Sequence, residues 1–207
     1  THTLTVDATL VNFKDSESKE DAFVNRERVY LDIDQRNFSK IPGLVLAYWM
    51  PDTVYKIFEH GKTMGEKFKI RTGLQTGDND KFLRSWYEIN LIKFSPSLTR
   101  EEAKESKSKW FPYNKGGEFS KWYGNRIFSV DWENDGANIK ADKKKKLAEG
   151  KITRNNSKCW NQSMYFKESL TWSSMSTGPL SARYSPEGAL FDTKGPVIQS
   201  AGGDLRN

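Results

Sequence analysis

The chain has 207 residues, of which 36% are hydrophobic and 13% aromatic, a composition typical of a folded protein with a real core rather than a disordered one. Its 33 basic and 27 acidic residues give a net charge of +6, which fits a nucleic acid or another acidic partner without requiring one. The single cysteine, Cys159, excludes an internal disulfide and a multi-cysteine zinc site, and the lack of a long apolar run or a signal-peptide pattern predicts no membrane association.

The N-terminal part of the chain predicts strands mixed with short helices. Apolar residues alternate with polar ones from Leu4 to Leu10, the period of a half-buried strand. Similar patterns predict strands at residues 29–33 and 44–49, and helices within residues 15–28 and between Pro51 and Gly61.

The central part begins with a predicted strand at residues 68–71, which leads into a polar turn between Gly73 and Gly77. We expect another strand at residues 87–94. A largely solvated helix, capped by Ser97, is expected to follow.

From Lys109 onward, aromatic strands are separated by Gly-Gly and Asn-Asp-Gly turns. Residues 141–151 predict an exposed helix or loop. Short strands are predicted at residues 170–174, 181–184, 189–191 and 197–199. Strands outnumber helices and show no β-α-β regularity, so the sequence predicts an α+β fold of mixed, mostly antiparallel strands with a few short helices.

Three polar loops carry the side chains that suit nucleic acid. Lysine and arginine contact phosphates, whereas Arg, Asn, Gln and Ser can also contact base edges. The loops could form one concave face against a major groove, although ordinary solvated loops would have the same composition. The predicted DNA-binding residues are Arg71, Gln75, Asn79, Lys81 and Arg84 in the first loop, Lys115, Lys121 and Arg126 in the second, and Ser173, Ser174, Arg183 and Tyr184 in the third.

Four longer motifs carry a family resemblance. They are Lys-Trp-Phe-Pro-Tyr at residues 109–113, Val-Asp-Trp-Glu-Asn-Asp-Gly at residues 130–136, Leu-Thr-Trp-Ser-Ser at residues 170–174 and Arg-Tyr-Ser-Pro-Glu-Gly at residues 183–188. In this order the chain resembles the region that follows the catalytic domain in BREX-type adenine-specific DNA methyltransferases of phage defence. Large type II restriction-modification methylases carry a similar region, and the third loop also resembles specificity subunits of multi-subunit restriction systems.

The resemblance implies a target-recognition domain that binds duplex DNA and positions an adenine for N6 methylation. Residues 1–207 would form a single domain fragment of a cytoplasmic protein, with residues 1–35 as the connection to a missing catalytic domain. The parent protein would depend on S-adenosylmethionine. Its own methyltransferase domain and other subunits of the defence system are the further partners implied.

Catalysis within this chain is not predicted. Methyl transfer to adenine needs an Asn- or Asp-Pro-Pro-aromatic loop and a Gly-rich cofactor loop, but all prolines are isolated and no Gly-x-Gly occurs. We therefore expect no cofactor and no metal here. A nuclease interpretation would use Pro51-Asp52 with Glu-x-Lys triplets such as Glu102–Lys104, but these triplets lie in charge-rich rather than strand-like surroundings.

The aromatic residues leave a second interpretation open. Most of the seven tryptophans are expected in the core. Exposed tryptophans could instead stack on unpaired bases, or form the centre of an interaction module that docks onto the catalytic domain or onto other defence proteins. The lysine run at residues 143–146 is expected to be a solvated face or a flexible loop, and it could add non-specific affinity for phosphates.

Overall fold

A computed structural model describes residues 2–6, 15–26, 29–153 and 159–200. The chain separates into two compact units, residues 1–63 and residues 64–207. The assignment of the whole chain to one recognition domain, with residues 1–35 as a connection, stays a prediction.

The first unit contains one antiparallel strand pair, β1 (His2–Val6) with β2 (Val29–Asp34). Helix α1 (Ser16–Val24) lies between them in sequence. Its N-cap is Asp15, whose carboxylate accepts the Ser18 N–H at 2.7 Å. A 3-10 helix (Gln35–Lys40) and α2 (Asp52–His60) complete the unit. Residues 7–10 of the first predicted strand lie outside the described residues.

The strand predicted at residues 44–49 is wrong. Leu44 has a φ of 54°, and the Ala47 N–H donates to the Val45 carbonyl at 2.9 Å, so the backbone turns instead of extending. The Tyr55 hydroxyl of α2 donates to the Ala47 carbonyl at 2.6 Å. This buried contact holds the turn in the small core of the first unit. An extended strand at residues 44–49 would instead need a neighbouring strand to pair with.

The second unit contains the remaining elements. Its helices are α3 (Met64–Lys67), α4 (Asn79–Phe82), α5 (Arg100–Glu105) and α6 (Glu133–Ala148). Its strands are β3 (Phe68–Arg71), β4 (Leu83–Ser85), β5 (Trp110–Asn114), β6 (Phe128–Asp131), β7 (Ser169–Thr171), β8 (Arg183–Ser185), β9 (Leu190–Phe191) and β10 (Val197–Ser200). Within the described ranges, none of the helices is both long and apolar enough to cross a membrane.

The strands form two four-stranded sheets in the orders β3-β10-β7-β8 and β4-β6-β5-β9. All pairs are antiparallel except β5 with β9, where Tyr113 lies opposite Leu190. The α+β class with mostly antiparallel strands is therefore confirmed.

Two local predictions in the second unit are wrong because side chains cap the backbone. Residues 87–94 form two 3-10 turns instead of a strand, since Glu88 accepts the Ser85 N–H at 2.7 Å and Asn90 accepts the Ile92 N–H at 2.9 Å. Helix α5 is capped by Thr99 rather than Ser97, and Glu102 accepts the Thr99 N–H at 2.8 Å.

The core of the second unit joins both sheets and α6. Leu74 and Val197 meet Phe111, Val130 and other fully buried residues of the second sheet. The rings of Trp132, Tyr165 and Phe191 pack edge to face, with successive centroids 5.4 Å apart.

The expectation that most tryptophans are core residues is wrong. Trp132 is fully buried, but Trp49, Trp86, Trp122 and Trp160 are 47%, 51%, 75% and 44% exposed. Aromatic rings on the outside of the molecule are therefore available for contacts with a partner.

Candidate nucleic-acid interface

The loop between β3 and α4 contains the predicted glycine turn, which is followed by a polar helix cap. Gly77 has a φ of +76°, and a Cβ atom there would lie 2.9 Å from Lys143 Cε. Asp78 caps α4 by accepting the Lys81 N–H at 3.2 Å. The Thr76 hydroxyl donates to Asn79 Oδ1 at 2.6 Å, which leaves the Asn79 amide group as a donor.

Two lysines of helix α6 contact this loop and fix its position. The buried Lys143 donates from Nζ to the Gln75 carbonyl at 2.7 Å, and Lys146 Nζ lies 3.2 Å from Asp78 Oδ2. The prediction of a solvated lysine run is wrong for Lys143, whereas Lys144 and Lys145 are exposed. Because Lys143 reaches a backbone carbonyl of the loop, it fixes the position of Gln75.

The second and third loops meet at the turn after β5. Gly116 has a φ of +83°, and a Cβ atom there would lie 2.7 Å from the Lys194 carbonyl. The Ser173 hydroxyl donates to the Gly117 carbonyl at 2.8 Å, and the Ser174 N–H donates to the Lys194 carbonyl at 3.0 Å. These contacts place Lys115 beside the third loop.

A cavity of about 440 Å³ lies where these loops meet, and we call it the first groove. The Gln75 amide lies 3.4 Å from the Thr193 hydroxyl across it. Its lining includes Gln75, Asn79, Lys115, Asp192, Thr193 and Lys194. The structure thus brings together Gln75, Asn79 and Lys115 from two predicted loops, with Ser173 and Ser174 of the third bonded to the same turns.

Carboxylates also line the first groove, but they are engaged within the protein. Asp78 pairs with Lys146, and Asp192 accepts from the Thr193 N–H and hydroxyl. Neither Lys115 nor Lys194 is paired with a carboxylate in the part of the chain that the structure describes. Lys115 and Lys194 therefore form no ion pair within the described residues, while Asp192, whose hydrogen bonds come from the neutral Thr193, also leaves a negative charge at the groove.

Three predicted residues of the first loop lie away from the first groove. Arg71 is exposed on β3, and its guanidinium donates to the Ile70 carbonyl at 2.8 Å. Arg84 donates to the Asp80 and Leu83 carbonyls. Lys81 forms an ion pair with Asp142 of α6.

Asp142 of α6 forms ion pairs with both Lys81 and Lys146. Ion-pair contacts with Lys81 and Lys146 hold the pKa of Asp142 below its usual value. Lys81 therefore ties α4 to α6, and its charge is already compensated inside the protein.

Two predicted residues of the third loop make internal contacts. Arg183 is 2% exposed and donates from Nη1 to the Ser181 carbonyl at 2.9 Å. Burial lowers the pKa of its guanidinium. The Tyr184 hydroxyl donates to Glu168 Oε1 at 2.7 Å. Arg183 Nη1 also lies 3.5 Å from the Ser120 carbonyl, and the Arg183 backbone forms a β-bridge with Trp122, so Arg183 supports the loop at residues 120–122.

Lys121 and Arg126 both lie beside aromatic rings. Lys121 is exposed, with its Nζ 5.8 Å from the centroid of the Phe119 ring. Arg126 lines a second cavity of about 340 Å³, which we call the second groove. The lining of the second groove includes Trp86, Phe94, Tyr123, Arg126, Phe128 and Ser129.

Sequence reasoning missed three contributors to these grooves. Thr193 and Lys194 form the turn before β10, which the Lys-Gly-Pro pattern at residues 194–196 signals. Lys143 could not be separated from its neighbours in the lysine run, because its burial depends on how α6 packs.

The Glu-x-Lys triplet at residues 102–104 lies on a helix and not on a strand. Glu102 and Lys104 belong to α5, and Glu102 is occupied as the cap partner of Thr99. Within the described ranges, no group of three or more His, Cys, Asp and Glu residues is placed to bind a metal ion.

Comparison with known proteins shows similarity to two adenine-specific methyltransferases. The chain is 39% identical over 193 residues to the adenine-specific methyltransferase PglX of Lacticaseibacillus casei (strain Zhang), a match that covers 90% of the chain. It is 34% identical over 183 residues to the adenine-specific methyltransferase BrxX of Escherichia coli O9:H4 (strain HS), which covers 88% of the chain.

The chain is a homologue of one segment of the BREX adenine-specific methyltransferases. The resemblance predicted from the sequence motifs is thereby confirmed. The chain spans 16% of the length of PglX and 13% of the length of BrxX. No protein-family model matches it.

Proposed function

We propose that this chain is the DNA-recognition part of a BREX-type adenine-specific methyltransferase. The observation that carries the proposal is the meeting of Gln75, Asn79 and Lys115 around one groove, beside Lys194, which forms no ion pair within the described residues. Amide groups on a fixed loop beside lysines match what DNA offers, since bases present donors and acceptors at their edges and phosphates present charge.

The proposed roles follow from the chemistry of each side chain. Gln75 and Asn79 read base edges, because their loop is fixed by Lys143 and Thr76. Lys115 and Lys194 bind phosphates. Ser173 and Ser174 support the turns that carry these lysines, and Arg126 and Lys121 extend the cationic surface along the duplex.

We assign methyl transfer to another part of the methyltransferase, outside this chain. We expect no S-adenosylmethionine site among the described residues, because the sequence has no Gly-x-Gly loop and β5–β9 is the one parallel pair among the described strands. The proposed task of this chain is to select the site and to present its adenine for flipping toward the catalytic domain.

Titration of a fluorescent duplex with the chain at two salt concentrations tests the proposal. We expect affinity to fall steeply as salt rises, and the Gln75→Ala/Asn79→Ala variant to bind more weakly at both concentrations. Absence of duplex binding at low salt, or a variant that binds as well as the wild type, contradicts the proposal.

A second candidate function is docking onto the catalytic domain or another defence subunit. It is favoured by the exposed rings of Phe119, Trp122 and Tyr123, which are 56%, 75% and 62% exposed. Trp122→Ser separates the two functions, because it should weaken binding to the purified catalytic domain and leave duplex affinity unchanged.

A further inference from the structure

The second groove has an apolar, aromatic lining that is open to solvent. Trp86 and Tyr123 are 51% and 62% exposed, and both line it together with Phe94, Pro96 and Phe128. Flat rings that remain exposed in a folded protein provide a surface on which another flat ring can stack.

The charge at this groove is positive. Arg126 lies with its Cζ 5.9 Å from the centroid of the Tyr123 ring, and Lys115 Nζ lies 4.9 Å from the centroid of the Phe128 ring. None of the described residues that line the groove carries a carboxylate, and neither Arg126 nor Lys115 has a carboxylate partner among the described residues. The complementary ligand is therefore an anion with a flat, apolar part.

A buried hydroxyl adds a specific polar requirement. Ser129 lines the groove, is 1% exposed, and its Oγ has no hydrogen-bond partner in the described part of the protein. A buried hydroxyl without a partner is unfavourable, so a ligand that supplies a donor or acceptor there gains free energy. A nucleobase has such groups on its edge.

We propose that the second groove binds an unpaired nucleotide, with its base stacked on Trp86 and Tyr123, its edge bonded to Ser129 and its phosphate beside Arg126. The inference rests on the proposed function, because it assigns a place to one nucleotide of the DNA bound at the first groove. Lys115 lines the first groove and lies against the ring of Phe128, which lines the second, so the unpaired nucleotide would lie next to the paired duplex.

Binding of two labelled probes to the full chain tests this inference. A short single-stranded oligodeoxyadenylate reports on the second groove, and a fully paired duplex reports on the first. We expect Trp86→Leu to weaken binding of the single strand by roughly tenfold, the loss of one stacked base. Its effect on the paired duplex should be less than about twofold.

Two further variants and one control make the test specific. Ser129→Ala should also weaken single-strand binding, and Arg126→Met should do so with a smaller salt dependence. Trp160→Leu is the matched control, because Trp160 is 44% exposed and does not line either groove. Near-ultraviolet circular dichroism checks that each variant is folded.

The outcomes separate this inference from the proposed function. Duplex binding without single-strand binding, or single-strand binding that Trp86→Leu and Arg126→Met leave unchanged, overturns the inference and leaves the proposed function standing. Single-strand binding that depends on Trp86, without duplex binding, supports the groove and removes the proposed function. Loss of binding to the catalytic domain in Trp86→Leu, with nucleotide binding intact, makes the groove a protein contact and overturns the inference.

Discussion

The ammonium group of Lys115 lies 4.9 Å from the centroid of the Phe128 ring, so a side chain that lines the first groove contacts a ring that lines the second. Lys115 follows β5 and Phe128 begins β6, and the two strands pair with Tyr113 opposite Phe128. The position of the cation is therefore set by sheet register. An aromatic face also limits how far the flexible side chain moves.

Lys115→Met is the most direct test of a phosphate contact at this position. The change keeps a long apolar side chain but removes the charge. We expect duplex affinity to fall and the slope of log K against log salt concentration to decrease by about 0.9, one phosphate contact. Lys104→Met on α5 is the control, because Lys104 is exposed and does not line the first groove. Equal slopes for both variants would count against the role of Lys115.

Asn79→Ala is expected to relax sequence discrimination. The amide of Asn79 is held by the Thr76 hydroxyl and lines the first groove. Loss of a base-edge contact costs about 1–3 kcal/mol against the preferred base pair and little against others. Selection of bound sequences from a random duplex pool measures this. A variant that selects the same sequence as the wild type shows that Asn79 does not read a base.

Lys143→Met is expected to destabilise the recognition loop. It removes the hydrogen bond from Nζ to the Gln75 carbonyl, which is worth about 1.5–3 kcal/mol for a charged donor. Lys144→Met is the matched control, because Lys144 is the next residue and is exposed, so its effect should stay within about 0.5 kcal/mol. Urea unfolding followed by fluorescence gives both values. Equal midpoints for the two variants contradict the supporting role of Lys143.

The ion pairs of Asp142 predict a pH dependence of stability. Lys81 and Lys146 lower the pKa of Asp142 in the folded state, so its contribution is complete above the unfolded value of about 3.9 and is lost as pH falls through the folded value. Asp142→Asn should therefore be less stable than the wild type at neutral pH. The difference should shrink below about pH 4 in a series of thermal unfolding measurements. A difference that stays constant with pH would show that charge is not its source.

Arg183→Met is expected to act on folding rather than through direct contact with DNA. The guanidinium is buried and donates to the Ser181 carbonyl and hydroxyl, so its removal leaves buried acceptors unsatisfied and costs about 1–3 kcal/mol. Tyr184→Phe on the same strand removes an exposed hydroxyl contact and serves as the control. A loss of duplex affinity in Arg183→Met without any loss of stability would indicate that Arg183 contacts DNA directly.

Much of the local structure could be predicted because its causes are local. Helix α2 runs between Pro51 and Gly61 as expected, and the turn at Gly77 leads into α4 through the Asp78 cap. The failed strand at residues 87–94 is also local in origin. Capping by Glu88 and Asn90 competes with strand pairing over residues 87–94, and hydrophobic content alone does not reveal that competition.

The sequence by itself determined the α+β class, the resemblance to BREX methyltransferases and the loops that carry polar and basic side chains. Only the tertiary structure decided which of those side chains meet. Gln75 contacts Thr193, which is 118 residues away in sequence, and Lys81 forms an ion pair with Asp142, which is 61 residues away. Such contacts depend on sheet register and on the packing of α6, and neither is encoded in the composition of any one loop.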